Sequence, residues 1–284
     1  MVKNGNGNGW LLQVRGLTKI YGDPGPRTLE STGPAFDTNI CPESGAIVAL
    51  SNINFDLYAG EVLGVVGESG SGKSTLVQML YFDQEATAGT VYFKALDEGR
   101  TEMLTLSGQR KRYVRNHQLG MVYQNPRDGL NFGFTSGGNI AEKLIMAGLF
   151  NVAAIRSRAS HLLRQTEVPV KRMDETPASF SGGMQQRVQI SKAIANNPPL
   201  VFMDEVTSGL DVSVQAKVLD LIRQLQRELG ISMIVVSHDL GVIRMLTDRT
   251  LVLKHGHIVE HGLTDQILQD PQHPYTQLLV SSLL

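Results

Sequence analysis

Short apolar runs bounded by turn residues recur along the chain and predict the strands of a sheet. Residues 62–66, 200–203 and 233–236 are almost wholly apolar, which is typical of buried parallel strands. Residues 48–57 alternate between apolar and polar side chains and predict another strand. Further strands are predicted at residues 11–14, 89–94 and 119–123, and a hairpin at residues 251–253 and 258–260.

Apolar residues at helical spacing separate these strands. This spacing begins at Leu76 and recurs over residues 140–163 and 214–229. Because the sheet resumes after the second of these stretches, residues 125–185 are predicted to be an inserted α-helical subdomain rather than an independent domain. The pattern predicts one α/β domain over residues 11–284.

Two segments lack any periodicity. Residues 1–10, in which Asn and Gly alternate, are predicted to be a disordered leader. Residues 22–46 are rich in Gly, Pro, Ser and Thr and are predicted to be a long loop insertion. Loops of this length in compact domains tend to be functional or disordered.

Composition limits the partners and the cellular location that can be expected for this domain. The chain has 284 residues and a formal net charge of -1, so no global field attracts nucleic acid or anionic lipid. Cys41 is the only cysteine, which excludes an internal disulfide and suits a reducing cytosol. The sequence has neither a bilayer-length apolar run nor a signal-peptide pattern. We therefore expect a cytoplasmic protein that could still dock on a membrane partner.

The chemistry of the chain centres on residues 67–75, Gly-Glu-Ser-Gly-Ser-Gly-Lys-Ser-Thr, which fit the phosphate-loop (P-loop) pattern at every fixed position. Glycines let backbone N–H groups turn toward phosphate oxygens, and the helix N-terminus adds its positive dipole end. Lys73 supplies a charge for the β- and γ-phosphates, and the Ser74 hydroxyl can reach a magnesium ion. A glycine-rich turn that binds nothing is the alternative, which the flanking strand and helix disfavour.

Two further signals point to nucleotide chemistry. The acidic pair Asp204 and Glu205 ends a predicted buried strand, where α/β nucleotide folds place their metal and water chemistry. Residues 181–187, Ser-Gly-Gly-Met-Gln-Gln-Arg, open a predicted helix and offer a second anion site. Taken alone, this second glycine signal could be a simple helix cap.

Two charged clusters have plainer explanations. The basic cluster at residues 110–115 could bind nucleic acid, but the balanced total charge favours a solvated helical face. His255, His257 and His261 could suggest a metal site, but hairpin histidines without a cysteine or carboxylate cluster are usually surface residues.

The joint pattern resembles an ABC-type ATPase in order and spacing, over nearly all of the chain from Leu11 onward. This resemblance implies a P-loop NTPase fold with a RecA-like core, an N-terminal antiparallel β subdomain and the inserted helical subdomain. It also implies ATP hydrolysis with Mg²⁺. The segments that carry it are residues 67–75, Gln124, residues 181–185, residues 200–205, residues 208–211 and His238.

The resemblance assigns roles to matching positions. Tyr21 resembles the aromatic that stacks on adenine, Glu205 the carboxylate that polarises water, and His238 the residue that positions the γ-phosphate. Gln124 would touch both the metal and the attacking water. The expected magnesium ligands are Ser74, Gln124 and Asp204. The expected phosphate-binding residues are Gly67, Ser69, Gly70, Gly72, Lys73, Ser74 and Thr75.

The same resemblance implies a dimer. In this family Ser181, Gly182 and Gly183 act on nucleotide bound by the opposite subunit, so two subunits must close head to tail. Asp211 would couple the two sites. The chain departs from the family at Val206, where proline is usual, at Met184, where glutamine is usual, and in the insertion at residues 22–46.

Finer sequence detail resembles the ATP-binding subunit of bacterial carbon-phosphorus (C-P) lyase systems. Such a protein would be an ATPase docked on the phosphonate-degrading core complex, as a homodimer or as a heterodimer with a related ABC ATPase. It would have no nucleic-acid partner and no direct membrane insertion. The segments concerned are residues 129–130, 137–140, 180–187, 211–216, 237–242 and 273–282.

Other members of the family stay open. Oligopeptide and nickel importer ATPases share much of this sequence, including a similar His-Pro-Tyr tail. The alternative function is therefore that of the ATP-hydrolysing motor subunit of such an importer. A DNA-repair or ribosome-associated ABC protein fits less well, because the chain has neither a strong basic face nor a second cassette.

Overall fold

Nine strands and ten helices make up the part of the chain that a computed structural model describes, residues 9–282. The strands are β1 (Trp10–Tyr21), β2 (Ile47–Tyr58), β3 (Val62–Val66), β4 (Ala88–Phe93), β5 (Leu119–Val122), β6 (Leu200–Asp204), β7 (Ser232–Ser237), β8 (Arg249–Lys254) and β9 (His257–Leu263). The helices are α1 (Lys73–Leu80), α2 (Gly108–His117), α3 (Pro126–Gly129), α4 (Ser136–Met146), α5 (Val152–Gln165), α6 (Gly182–Ala193), α7 (Val212–Leu229), α8 (Leu240–Leu246), α9 (Thr264–Gln269) and α10 (Pro274–Ser281).

The predicted leader, residues 1–10, falls almost entirely outside the described residues, which begin at residue 9. Trp10 is nevertheless the first residue of β1, where it pairs with Tyr58 of β2. The Lys94 ammonium lies 5.4 Å from the centre of the Trp10 ring. The strand therefore begins one residue earlier than the sequence pattern predicts, because this aromatic residue has partners in the sheet.

A six-stranded sheet with the order β5-β6-β7-β3-β8-β9 forms the centre of the fold. It is parallel except for β9, which pairs antiparallel with β8 and confirms the predicted hairpin. Every residue of β3, β6 and β7 is buried, as their apolar sequences predict. Because β6, β7 and β3 are neighbours and parallel, the loops that follow them meet at one edge of the sheet.

A second sheet has the order β2-β1-β4 and is antiparallel throughout, which confirms the antiparallel β subdomain. The predicted edge strand is β4. The core divides between the two faces of the large sheet, as alternate residues of β6 show: Leu200 and Phe202 pack toward the antiparallel sheet, and Val201 and Met203 toward the helices of the other face.

The inserted helices lie between Gln124 and Ser181, as predicted. In α4 the buried residues Ile140 and Leu144 are four positions apart, so they form one apolar face that packs against α5 and α6. The helical subdomain is thus tied to the core through α6, whose first turn carries the second glycine signal.

The basic cluster at residues 110–115 lies on α2, where Val114 is the one buried residue. Arg110 pairs with Asp97 at 2.6 Å and Arg115 with Asp83 at 3.1 Å. These pairs occupy exposed positions, as expected of a solvated helical face.

The insertion at residues 22–46 is a loop that is held in place by hydrogen bonds within it and by contacts with β2, β8 and β9. It contains a 3-10 turn at Pro34–Phe36 and single bridges from Gly33 to Thr38 and from Ile40 to Ile47 of β2. Asp37 contacts the hairpin of β8 and β9, with its Oδ1 atom 2.5 Å from Lys254 Nζ and 3.2 Å from His255 Nε2.

Candidate functional site

The P-loop follows β3 and leads into α1. At two of its positions the backbone leaves room for glycine only. Gly67 has φ +153°, and a Cβ atom there would lie 2.2 Å from the carbonyl oxygen of Leu253. Gly72 has φ +104°, and a Cβ atom would lie 2.3 Å from the carbonyl oxygen of Ala49. Any side chain at these positions would displace backbone, so the loop can curve only with glycine.

Lys73 is folded back onto its own loop. Its Nζ donates to the carbonyl oxygens of Gly67, at 2.8 Å, and Glu68, at 2.9 Å. Burial lowers the pKa of Lys73, and the nearby carboxylates of Glu205 and Asp204 oppose that shift. The lysine is therefore a largely desolvated cation held beside the loop, suited to an anionic ligand.

Asp204, at the end of β6, accepts a hydrogen bond from Ser74 Oγ at 2.9 Å on Oδ1. This contact brings together the ends of β6 and the P-loop helix, 130 residues apart in sequence. Burial raises the pKa of Asp204, which shows that its carboxylate lies in a weakly solvated position.

Glu205 lies between two other predicted residues. Gln124 Nε2 donates to Glu205 Oε2 at 2.7 Å, and His238 Nδ1 lies 3.1 Å from Glu205 Oε1. Gln124 follows β5, Glu205 follows β6 and His238 follows β7, so three neighbouring strands bring these side chains together. The following residue, Val206, is buried in the main core.

A cavity of about 760 Å³ joins these groups. Tyr21 lines this cavity, and its hydroxyl donates to Gln84 Oε1 while its ring centre lies 4.8 Å from Lys19 Nζ. Predicted site residues that line the same cavity are Gly67, Ser69, Gly70, Gly72, Lys73, Ser74, Thr75, Gln124, Glu205 and His238.

Four predicted residues lie elsewhere in this chain. Ser181 is the N-cap of α6, accepting from Met184 N at 3.4 Å, and Asp211 is the N-cap of α7. Neither these two residues nor Gly182 and Gly183 line the cavity. A Cβ atom on Gly183 would lie 2.5 Å from Val214, so this glycine lets α6 approach α7.

The sequence analysis missed several residues of the site. Asn39 from the insertion, Ile47 and Ala49 from β2, and Leu279 from α10 also line the cavity. Tyr275 Oη accepts a hydrogen bond from the backbone N–H of Glu68 at 3.0 Å. The His-Pro-Tyr tail was visible in the sequence, but nothing in its spacing indicates a contact with the P-loop.

Comparison with known proteins decides the family. The sequence profile described as ABC transporter matches residues 50–208 of this chain. The chain belongs to the ABC transporter family. This family membership, together with the ATP-binding relatives and solved structures described next, makes it an ATP-binding ATPase.

Curated ABC proteins match most of the chain. One relative is the phosphonates utilization ATP-binding protein PhnK of Escherichia coli K12, whose assignment is provisional. It is 49% identical over 234 residues, which cover 82% of this chain and 91% of PhnK. The oligopeptide transport ATP-binding protein OppD of Bacillus subtilis 168 is 41% identical over 244 residues, covering 84% of this chain and 67% of OppD.

Solved ABC cassettes share the fold. A dimeric structure of the cassette MJ0796 in a post-hydrolysis state, bound to ADP and Pi, has a TM-score of 0.74 and 29% identity and covers 89% of this chain and 99% of that one. Among the described residues of this ABC protein, no helix is both long and apolar enough to cross a lipid bilayer.

Proposed function

We propose that this protein is the ATP-hydrolysing ABC subunit of the C-P lyase machinery for phosphonate degradation, working in the cytoplasm as a head-to-tail dimer docked on the lyase core complex. The observation that carries the proposal is the 49% identity to PhnK across 91% of that protein. The match to OppD is weaker and leaves a third of OppD uncovered.

In the proposed mechanism Glu205 is the general base. Its two carboxylate oxygens are oriented by Gln124 and His238, at 2.7 and 3.1 Å, which fixes the carboxylate beside the cavity. A carboxylate so placed can take a proton from a water in line with the γ-phosphorus. His238 would then bind the γ-phosphate, while Lys73 exchanges its carbonyl partners for phosphate oxygens.

Magnesium fits the residues present. Ser74 Oγ and Asp204 Oδ1 lie 2.9 Å apart and supply the hydroxyl and carboxylate oxygens that Mg²⁺ prefers. Gln124, whose amide reaches Glu205, would add a third oxygen. A bound magnesium ion would neutralise charge developing on the β- and γ-phosphates.

The proposal of a dimer rests on the position of the α6 N-terminus in a single chain. The first turn of α6, with Ser181, Gly182 and Gly183, is exposed at its first two residues and lies away from the cavity of its own chain. A second subunit closing head to tail would bring this helix N-terminus to the γ-phosphate. Asp211 would lie near that interface and couple the two sites.

An importer motor is the second candidate, favoured by the similarity to OppD.

The turn from α4 to α5 offers a docking surface for either partner, because four apolar side chains are exposed there. Phe150 is 74% exposed and Val152 69%, far above the exposure of the buried faces of these helices. The docking cluster consists of Ile145, Met146, Phe150 and Val152.

The test mixes the purified protein with purified C-P lyase core complex and follows size-exclusion chromatography together with ATPase rate. We expect comigration, weakened by Phe150→Ser and unaffected by Leu263→Ser, an equally apolar exposed residue on β9. Absence of comigration, together with capture of membrane permeases from the same cells, would transfer the protein to the importers.

A further inference from the structure

A second cavity, of about 510 Å³, lies at the opposite edge of the large sheet from the ATP cavity. Val62 at the start of β3 and Met233 near the start of β7 line it, whereas the P-loop and His238 follow the other ends of the same two strands. The remaining walls come from α7, α8, the end of β9 and α9. The cavity can therefore take a ligand while nucleotide occupies the ATP cavity.

Three arginines line this cavity without a partner. Arg223 and Arg227 come from α7 and Arg244 from α8, and all three are exposed. Within the described part of the chain, none of their guanidinium groups makes a hydrogen bond or an ion pair. Arg223 and Arg227 are four positions apart on one helix, where like charges repel. Their acidic neighbour Glu228 does not relieve this repulsion, since it accepts from Gln224 Nε2 at 2.7 Å instead.

Two carboxylates, Asp248 and Asp265, line the same cavity. Their backbones are adjacent, because Thr264 N donates to the carbonyl oxygen of Asp248 at 3.0 Å. Neither carboxylate forms an ion pair with another residue of the described chain. The helix α8 packs against both α7 and α9. Two of the cations thus come from the α7 side of the cavity and the two anions from the α9 side.

We propose that this cavity binds a small zwitterion, with a phosphonate or phosphate monoester dianion at one end and an ammonium group at the other. The planar donor fork of arginine matches the oxygens of such a dianion. The ammonium group would pair with Asp248 or Asp265. The volume of the cavity is in the range of small-molecule sites.

The same cavity offers apolar contacts for the body of the ligand. Met245 and Leu263 also line it and are 38% and 59% exposed, although both are large apolar side chains. They would contact the short carbon chain that separates the two charged ends of the ligand. Such a site goes beyond the ATPase activity, because none of its residues lines the ATP cavity.

The test measures binding by calorimetry with the purified chain saturated with ADP, so that the P-loop is occupied. The probes are 2-aminoethylphosphonate and O-phosphoethanolamine, which share both charged ends, and methylphosphonate, which lacks the ammonium group. We expect both zwitterions to bind about fivefold more tightly than methylphosphonate, the effect of one exposed ion pair. Whichever zwitterion binds more tightly identifies phosphonates or phosphate esters as the source of the ligand.

Variants at the two charged sides make the test specific. The double variant Arg223→Gln and Arg227→Gln should weaken binding of both zwitterions by about five- to 30-fold, as expected for two lost ion pairs. Asp265→Asn should weaken the zwitterions by up to about fivefold but bind methylphosphonate at least as well as the unmodified chain. Arg112→Gln removes an exposed arginine of α2 outside the cavity and should have no effect.

Equal binding of the zwitterions by the double arginine variant and the unmodified chain would overturn the proposal. Binding that ADP abolishes would also overturn it, since the probe would then occupy the ATP cavity. The same holds if neither zwitterion binds at millimolar concentration. None of these results involves the lyase core complex, so this proposal can fail while the proposed function stands, and the converse also holds.

Discussion

Glu205 adopts a backbone conformation that few residues other than glycine accept. Its φ is +47°, in the left-handed region, and its N–H donates to the carbonyl oxygen of Val236 at 2.9 Å. Strained backbone of this kind persists only where the surroundings determine it, and it is concentrated at functional sites. Here it turns the side chain out of the line of β6 toward Gln124 and His238.

We expect Glu205→Gln to keep ATP binding, abolish turnover and trap a closed dimer. The amide conserves the shape of the side chain but cannot take a proton from water. Single-turnover hydrolysis and size-exclusion chromatography with ATP would measure both effects. Turnover equal to that of the unmodified chain would remove Glu205 as the base, and Glu43→Gln serves as the matched control.

Lys143 is a buried lysine that points at backbone oxygens. Its Nζ donates to the carbonyl oxygens of Arg115, at 2.6 Å, and Leu119, at 3.1 Å, and lies 3.4 Å from Tyr81 Oη. Burial, followed by the charge of Arg115, lowers the pKa of Lys143 to about 7.

This pKa predicts a pH dependence of stability. Between pH 7 and the ordinary lysine pKa near 10.4, the unfolded chain binds a proton that the folded chain has lost. The free energy of unfolding should therefore rise with pH in this window, by up to about 1.4 kcal/mol per pH unit from this group. Below pH 7 both states carry the proton and the effect vanishes.

Denaturant unfolding of the unmodified chain and of Lys143→Met, from pH 7 to 9.5, isolates the contribution of Lys143. The stability of the variant relative to the unmodified chain should fall as pH rises. A constant difference would mean that the oxygen partners keep Lys143 charged in the folded state.

Among the elements, α10 contacts the P-loop directly. Its residue Tyr275 is 6% exposed and holds the amide of Glu68 at the start of the P-loop. Lys254 Nζ lies 5.2 Å from the centre of the Tyr275 ring, and Lys254 also pairs with Asp37 of the insertion. The helix and the insertion thus both contact Lys254 at the end of β8, next to Gly67 of the P-loop.

Tyr275→Phe should weaken ATP binding by about fivefold, the effect of roughly 1 kcal/mol for one lost hydrogen bond. The amide of Glu68 would be left without its partner, so the loop would be less well ordered before ATP binds. Equilibrium ATP affinity and kcat should be measured together, with Tyr113→Phe on exposed α2 as the control. Unchanged affinity would show that Tyr275 only packs.

The strands whose sequences are wholly apolar were predicted well, because such sequences are stable only when buried. β3, β6 and β7 are short apolar runs, and the chemistry that follows them was predicted because carboxyl ends of adjacent parallel strands converge. Asn39 and Tyr275 could not be predicted. Asn39 lies in a segment without periodicity, and Tyr275 meets Glu68 across 207 residues of sequence, a contact that only the tertiary fold creates.

At the scale of the whole molecule, the proposed head-to-tail dimer predicts complementation between two inactive chains. A Lys73→Ala chain keeps an intact α6 turn, and a Ser181→Arg chain keeps an intact P-loop. In the proposed dimer only the mixed pair would contain one complete site. If subunits pair at random, an equal mixture should recover about a quarter of the unmodified rate when the two sites work independently, and less when they are coupled.

The measurement is the steady-state ATPase rate of each variant alone and of the mixture. The control is the double variant, in which every chain carries both Lys73→Ala and Ser181→Arg, so that no dimer can form a complete site. No recovery in the mixture, although mixed dimers are demonstrated by tagged copurification, would exclude a shared site.

The hydrogen bond between Tyr275 and the P-loop also bears on how the protein is made. During synthesis on the ribosome, Glu68 emerges long before Tyr275, which follows 207 residues later. A nascent chain released before that point would carry the P-loop, the acidic pair and the α6 turn, but the Glu68 amide would lack its partner. Such a chain should therefore bind ATP more weakly than a chain that includes Tyr275, by about the fivefold expected for the loss of this hydrogen bond.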